Sequence, residues 1–286
     1  MISAVNATAQ GVYRGITIGE FAREALHDGA HGEIYAVFDN SIYLRSSTGA
    51  WACLLDSNAQ DGPLHVRVTP AFEPRKFGLR GTSWDACNAS VFTPSASVAL
   101  RAAQVWIPEP LINAGARRFI SCDIPRQWLM NRGPALNGLL GFGPTTMWPA
   151  SAQQAVRTLQ QCLCDQSETV PTTVVEQLLG AGPGLTPTGD DVLAGAVLAL
   201  HTLRPATAVS LAHAIRARLH LTHPISAALL STALRGQCVR SAHEVLAGLI
   251  SGELEPRTLN QLDQLGATSG WDLLAGMLTV TNRTWS

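Results

Sequence analysis

The chain has 286 residues, enough for one large domain or two of ordinary size with a sizeable core. Only 14% of them are charged, against about 25% in typical soluble proteins; the net charge is -1, mean hydropathy is +0.13 and Lys76 is the only lysine. With no basic stripe to release the counterions of a phosphate backbone, the composition argues against nucleic acid as a partner.

So little charge leaves two readings: a surface largely covered by partner proteins, or a compact monomer with a polar, uncharged skin. The start, MISAVNATAQGVYRG, has no basic segment followed by a long apolar block, as a secretory signal would. The longest apolar helix candidate, Val192 to Leu203, falls short of the roughly 20 residues a bilayer requires, so no membrane contact and a cytoplasmic location are expected. The six cysteines match no secreted disulfide framework, and Cys162 and Cys164 form C-x-C without a second pair to complete a zinc site.

In chain order, ITIGEFAREALHDGAHG predicts an early helix with Phe21, Ala25 and Leu26 on one face, ending near Gly29. EIYAVFDNSIYLRSSTGAWACLL predicts a meander of three strands, punctuated at Asp39, Asn40 and Ser47 to Gly49. Leu64 to Thr69 alternates cleanly as a fourth strand, and SVALRAAQVWIP and RRFISCDIP are further candidates. Between them EPRKFGLRGTSWDACNAS reads as a loop with the densest basic cluster, Arg75, Lys76 and Arg80, a docking place for an anion or simply a solvated loop. Such a series fits a small barrel or sandwich. LLGFGPTT, Leu139 to Thr146, reads as a helix stop.

From about Ser151 alanine and leucine recur at helical spacing over 151–164, 171–179, 189–203, 206–219, 224–235, 241–250, 256–265 and 270–281. Pro171, Pro205, Pro224 and Pro256 stand near helix starts, where a missing N–H is harmless. The expected fold class is α+β: a β-rich domain over 1–148 and an all-helical domain over 149–286.

The helical half carries the chemistry. In GAGPGLTPTGDDVLAG, Thr188 at the N-cap would accept from the N–H of Asp191, whose carboxylate reaches back as in a capping box, and both aspartates gain from the helix dipole. Eighty-one residues on, TSGWDLLAG repeats the pattern: Ser269 matches Thr188, Gly270 matches Gly189, and Asp272 matches Asp191. Glycines inside helices cost about 1 kcal/mol against alanine, so Gly195 and Gly276 imply close backbone approach, by packing of these two helices on each other or on equivalent neighbours.

A glycine-rich helix start also binds anions, yet two ionised aspartates would repel a bare phosphate. Either the turn only caps its helix, or a cation such as Mg2+ lies between carboxylates and ligand. In LTHPISAALLSTALRGQ, Ser226 lies in the first turn of a helix that starts at Thr222 or His223, positioned to enter the same cleft; without a G-x-S-x-G elbow it reads first as a cap. His220 and His223 are separated by a helix break that argues against shared metal ligation.

GAGPGLTPTGDDVLAG, THPISAALLSTALRG and TSGWDLLAG, in this order, resemble the signatures of the AllH-type oxamate carbamoyltransferase subunit family, long described only as a domain of unknown function. The resemblance is specific over the C-terminal half; over the β-rich half only the order of strands and the early helix agree. It implies a subunit of a multi-protein carbamoyl- or acyl-transferring enzyme, working with an FdrA-like, acyl-CoA-synthetase-related protein and a third, larger subunit. The implied reaction converts oxalurate and phosphate to oxamate and carbamoyl phosphate in anaerobic purine (allantoin) breakdown, so the substrate is a small anion. Family paralogues without an assigned substrate also exist.

The motif positions that carry over are Gly182, Gly184, Thr186, Thr188, Gly189, Asp190, Asp191, Thr222, Ser226, Ser269 and Asp272. Their roles do not carry over with them. Carbamoyl transfer builds negative charge on a carbonyl oxygen, so the expected arrangement has the N–H groups of Gly182 to Gly189 holding an oxyanion or phosphate. Asp190 or Asp272 would engage a cation or the carbamoyl amine as the catalytic acids, leaving Asp191 as the cap. Two other classes stay open: a non-catalytic scaffold that docks the acyl-CoA-synthetase-like partner, and a stand-alone metal-dependent amide or ureide hydrolase.

Overall fold

The computed structural model describes residues 11–111, 132–140, 148–165 and 167–280. It divides into two compact units, Met1–Ile107 and Pro108–Ser286, so the division falls ahead of the 148/149 boundary read from the sequence. The strand candidate RRFISCDIP and most of LLGFGPTT lie outside the described residues.

The first unit is a β-barrel. Its strands are β1 (Gly11–Gly19), β2 (His31–Val37), β3 (Ser41–Ser46), β4 (Trp51–Asp56), β5 (His65–Thr69), β6 (Ser83–Cys87), β7 (Ser90–Phe92), β8 (Ala96–Ala99) and β9 (Gln104–Trp106). The sheet runs β5-β4-β3-β2-β6-β7-β8-β1-β9 and closes through a β1–β5 pairing, which covers the β5 edge and leaves only the short β9 with a single strand neighbour among the described residues. The first half of β1 pairs in parallel with β8 and its end with β9, while a register shift between Gly15 and Thr17 bends it. A side chain at Gly19 would lie 2.2 Å from the Gly62 carbonyl oxygen, so only glycine lets the chain pass there.

Alternation explains the barrel core. In β5, Val66 and Val68 are buried and His65, Arg67 and Thr69 face out. Ile34, Ile42, Leu44, Leu54, Phe77 and Trp84 fill the interior with them. The meander and the fourth strand stand where the sequence put them, although β5 joins β4 in parallel. The early helix, α1 (Glu20–Ala25), buries Ala22 and Ala25, with Leu26 beyond it; Phe21 is only partly covered. The basic stretch is not simply a loop: it holds a short helix, α2 (Pro74–Phe77), followed by β6. Its charges are engaged, with Lys76 Nζ 2.6 Å from Glu73, Arg75 3.8 Å from Asp39 and Arg80 over the ring of Tyr35.

The second unit is helical: α3 (Pro134–Leu140), α4 (Ala150–Cys164), α5 (Thr172–Leu178), α6 (Thr188–Leu203), α7 (Pro205–Arg216), α8 (Pro224–Ala233), α9 (Arg240–Ser251), α10 (Pro256–Asp263) and α11 (Ser269–Thr279). Proline occupies the first turn of α7, α8 and α10. α6 and α11 form the centre: α6 is buried from Thr188 to Leu200 and α11 from Gly270 to Thr279. Helices that are apolar all round belong inside, and the more amphipathic α4, α9 and α10 cover them with one face each.

Glycine sets how these two helices meet. A methyl at Gly195 would lie 2.0 Å from the carbonyl oxygen of Leu273, and one at Gly276 would lie 2.1 Å from that of Val192. Gly195 matches Gly276 and Val192 matches Leu273 in the repeated motif, so the contact is reciprocal, as across a two-fold axis. The preceding elements repeat as well. Gly189 packs on the Leu178 carbonyl at the end of α5 and Gly270 on the Leu262 carbonyl in α10. The N–H of Gly189 donates to Ala181 O at 2.9 Å and that of Gly270 to Leu265 O at 3.3 Å. Thus α5–α6 and α10–α11 are two copies of one helix–turn–helix, packed face to face.

Candidate functional site at two paired helix starts

The sequence expectation of a capping box is not met. Pro187 and Thr268 occupy the N-cap positions of α6 and α11, and neither makes a side-chain cap. The N–H groups of Asp190 and Asp191 both donate to Pro187 O, and that of Asp272 to Thr268 O. Thr188 therefore sits one residue too late to cap its own helix, and Asp191 stands a position beyond the one a capping box uses. Freed from capping, these side chains serve contacts between helices.

Asp190 is saturated. Its Oδ1 accepts from Gly180 N–H at 2.8 Å, and its Oδ2 accepts from the Ser226 hydroxyl at 2.5 Å and from the Thr222 hydroxyl. Burial pushes its carboxyl up, and these donors pull it back. This one carboxylate ties the start of α6 to the turn after α5 and to the start of α8. Gly180 is left-handed, at φ +73°, which lets its N–H turn toward the carboxylate. Ser226 thus does not cap α8 but donates to Asp190. His223 caps α8, its Nδ1 accepting from Ile225 N–H at 3.2 Å.

Asp191 and Asp272 are different. Both are buried, 9% and 0% exposed, and the Oδ2 of each has no hydrogen-bond partner among the described residues. Burial holds the Asp191 carboxyl well above the usual carboxylate range; the charges of Asp272 and Asp190 push the same way, while the Ser269 hydroxyl draws it down. Burial takes Asp272 up to about 6, against the pull of the Thr268 and Thr188 hydroxyls and the Ala135 N–H. The Ala135 N–H, in the first turn of α3, reaches Asp272 Oδ1 at 3.2 Å; neither threonine hydroxyl completes a hydrogen bond to Oδ2.

The same two-fold relation holds here. The first residue of α11, Ser269, attends the acid of α6, and the first residue of α6, Thr188, attends the acid of α11. Thr186 joins from the glycine loop, its hydroxyl 3.0 Å from that of Ser269. Gly133 closes one side, where a methyl would lie 2.8 Å from Asp272 Oδ1. Gly182 lies against Thr188 with φ +131°, and Gly184, at φ +89°, sits in an exposed stretch with open space beside it.

The N–H of Gly189 is used by Ala181 O. The amides of Gly182, Gly184 and Thr186 donate to no protein acceptor among the described residues. Ala135, Gly133 and Gly180 were not singled out in the sequence; the Gly-Pro pair at 133–134 was the available signal for the start of α3. Among the described residues no three His, Cys, Asp or Glu side chains gather as a metal cluster, and no helix is long and apolar enough to cross a membrane.

The molecule is thus an α+β protein whose helical unit presents an acid pair rimmed by hydroxyls at the starts of two symmetry-like helices. Residues 178–281 match the model of the family described as oxamate carbamoyltransferase subunit AllH, confirming over that stretch the resemblance carried by the three motifs. The match runs from the end of α5 past α11 and takes in both copies of the aspartate turn. Comparison with curated proteins and with solved structures finds no match.

Proposed function

We propose that the chain is a subunit of a multi-protein enzyme that transfers a carbamoyl or related acyl group, and that its α6/α11 helix starts bind the small anionic substrate. The observation that carries this reading is the buried Asp191–Asp272 pair, lying inside the stretch that matches the AllH family model. In a reaction of the type oxalurate plus phosphate to oxamate plus carbamoyl phosphate, phosphate oxygen attacks the ureido carbonyl and the C–N bond to oxamate breaks. The carbonyl oxygen gains charge on the way, and the leaving nitrogen takes a proton.

Positioned donors and a fixed leaving group lower that barrier without a covalent nucleophile. The amides of Gly182, Gly184 and Thr186 are the donors available to an oxyanion, beside the Thr186 and Ser269 hydroxyls, which bond each other. Asp191 and Asp272 are the acids that keep an oxygen without a protein donor among the described residues, whereas Asp190, with Thr222 and Ser226, is a positioning residue that fixes the start of α6. An FdrA-like partner and a third subunit would supply the remainder of the active site.

The test is to mix the purified chain with these two partners, oxalurate and phosphate, and to measure carbamoyl phosphate. The expected result is product from the three together, with Asp191→Asn or Asp272→Asn lowering turnover per assembled complex by roughly 100-fold or more. Undiminished turnover in both variants would make the chain a scaffold for a partner's chemistry. Carbamoyl phosphate from the chain alone would instead support a self-sufficient transferase, and oxamate released by the chain alone without carbamoyl phosphate a hydrolase.

A further inference from the structure

Two carboxylates have been brought together out of water, each with one oxygen that has no donor among the described residues. A buried carboxylate oxygen is ordinarily hydrogen-bonded or faces a cation. Here, among the described residues, Asp191 Oδ2 and Asp272 Oδ2 both lack a donor, and no arginine, lysine or histidine offsets either charge. The groups around them are almost all oxygen: the hydroxyls of Thr188, Thr268, Ser269 and Thr186. The one soft atom nearby, the Cys238 thiol, is pushed up to about 12 by burial and by Asp191, and so stays protonated. Hard oxygen ligands without thiolate or imidazole select magnesium-class ions over zinc or copper.

We infer that Asp191 and Asp272 jointly hold one divalent cation of the magnesium class, each through its donor-free Oδ2, on the pseudo-two-fold axis between α6 and α11. Two protein carboxylates are few for calcium or zinc. They suit Mg2+, which keeps several waters and fills its octahedron with one or two carboxylates and a substrate phosphate. The cation removes the objection to an anion at this place, because it stands between the acids and the incoming oxygen. It also fits the crossing glycines, since Gly195 and Gly276 are what let the two acid-bearing helices meet backbone to backbone. That the ion's outer face receives phosphate rests on the carbamoyl-transfer reading above; the cation site itself is tested without substrate.

The experiment uses the full chain, stripped with EDTA and titrated with Mn2+, with free Mn2+ followed by electron paramagnetic resonance and Mg2+ added as competitor. The expected result is one Mn2+ per chain, displaced by Mg2+. Asp191→Asn and Asp272→Asn should each weaken binding at least about 100-fold, since each removes a ligand outright. Glu176→Gln, which removes a surface charge paired with Arg218, should leave it unchanged.

Melting in EDTA shows whether the variants fold. Both Asn variants should melt higher than the native chain there, because a bare buried charge has gone, and only the native chain should be raised by Mg2+. No Mn2+ binding by the native chain, or equal binding in both Asn variants, overturns the inference. Mn2+ binding without carbamoyl phosphate formation in the assembled system would keep the cation site and reject the transferase reading.

Discussion

Replacing Gly195 or Gly276 by alanine tests the central helix crossing, because the geometry and helix propensity predict opposite signs. The added methyl would lie 2.0 Å from Leu273 O in one case and 2.1 Å from Val192 O in the other. Comfortable non-bonded separation is about 3.5 Å, so the helices must part by roughly 1 to 1.5 Å. Both obstacles are helical backbone in the centre of the unit, which cannot swing aside as a side chain could. Overpacking of this kind costs about 1–3 kcal/mol, here at the upper end, while alanine returns about 1 kcal/mol of propensity. The net loss of about 2 kcal/mol lowers Tm by roughly 4–8 °C in a domain of this size. Thermal unfolding of each single variant and of the double measures it. One opening of the crossing accommodates both methyls, so the double should lose less than the sum of the singles. A rise in Tm for either single variant would show that the helices do not meet at these glycines.

Asp190→Ala should destabilise the chain by about 3 kcal/mol in urea unfolding, because it strands the buried Gly180 N–H and the Ser226 and Thr222 hydroxyls; an unchanged midpoint would mean that the carboxylate ties nothing together. Burial holds His243 down at about 4, and its Nε2 accepts from the Cys238 N–H at 3.0 Å. The unfolded chain therefore binds a proton that the folded chain refuses between about pH 6.5 and 4, and stability falls with pH through that window by up to about 3 kcal/mol. His243→Gln keeps an acceptor but does not titrate, so the stability difference between native and variant should shift in the variant's favour as pH drops. A constant difference would contradict a buried neutral imidazole.

Much of the helical unit is legible in the sequence because its signals are local. Prolines mark the starts of α7, α8 and α10, and alanine and leucine repeat at helical spacing. Gly195 and Gly276, costly inside helices, point to a close approach, and the recurrence of TGDDVLAG as SGWDLLAG points to a shared partner. The roles of the three aspartates are another matter. Capping arithmetic treats Thr188 and Asp191 as neighbours on one helix, whereas the deciding contacts are with Ser269 and Asp272 on another, and sequence spacing carries no such information. Asp190 is likewise settled by Thr222 and Ser226, which lie far along the chain. In the barrel, β1 escaped notice because Gly11, Gly15 and Gly19 dilute its alternation, and these are the residues that let it bend and pass close to the 62–63 turn. α3 begins with a Gly-Pro signal but is short, and its part in the site is a backbone N–H, to which any residue but proline contributes alike.

The claim on which the account rests is that Asp191 and Asp272 work as one unit across the two-fold crossing. A double-mutant cycle on turnover of the assembled complex, with Asp191→Asn, Asp272→Asn and the double variant, measures that coupling directly. If both acids serve one site, the double variant should be scarcely slower than the worse of the singles. Losses that multiply, each acid contributing independently of the other, would contradict it.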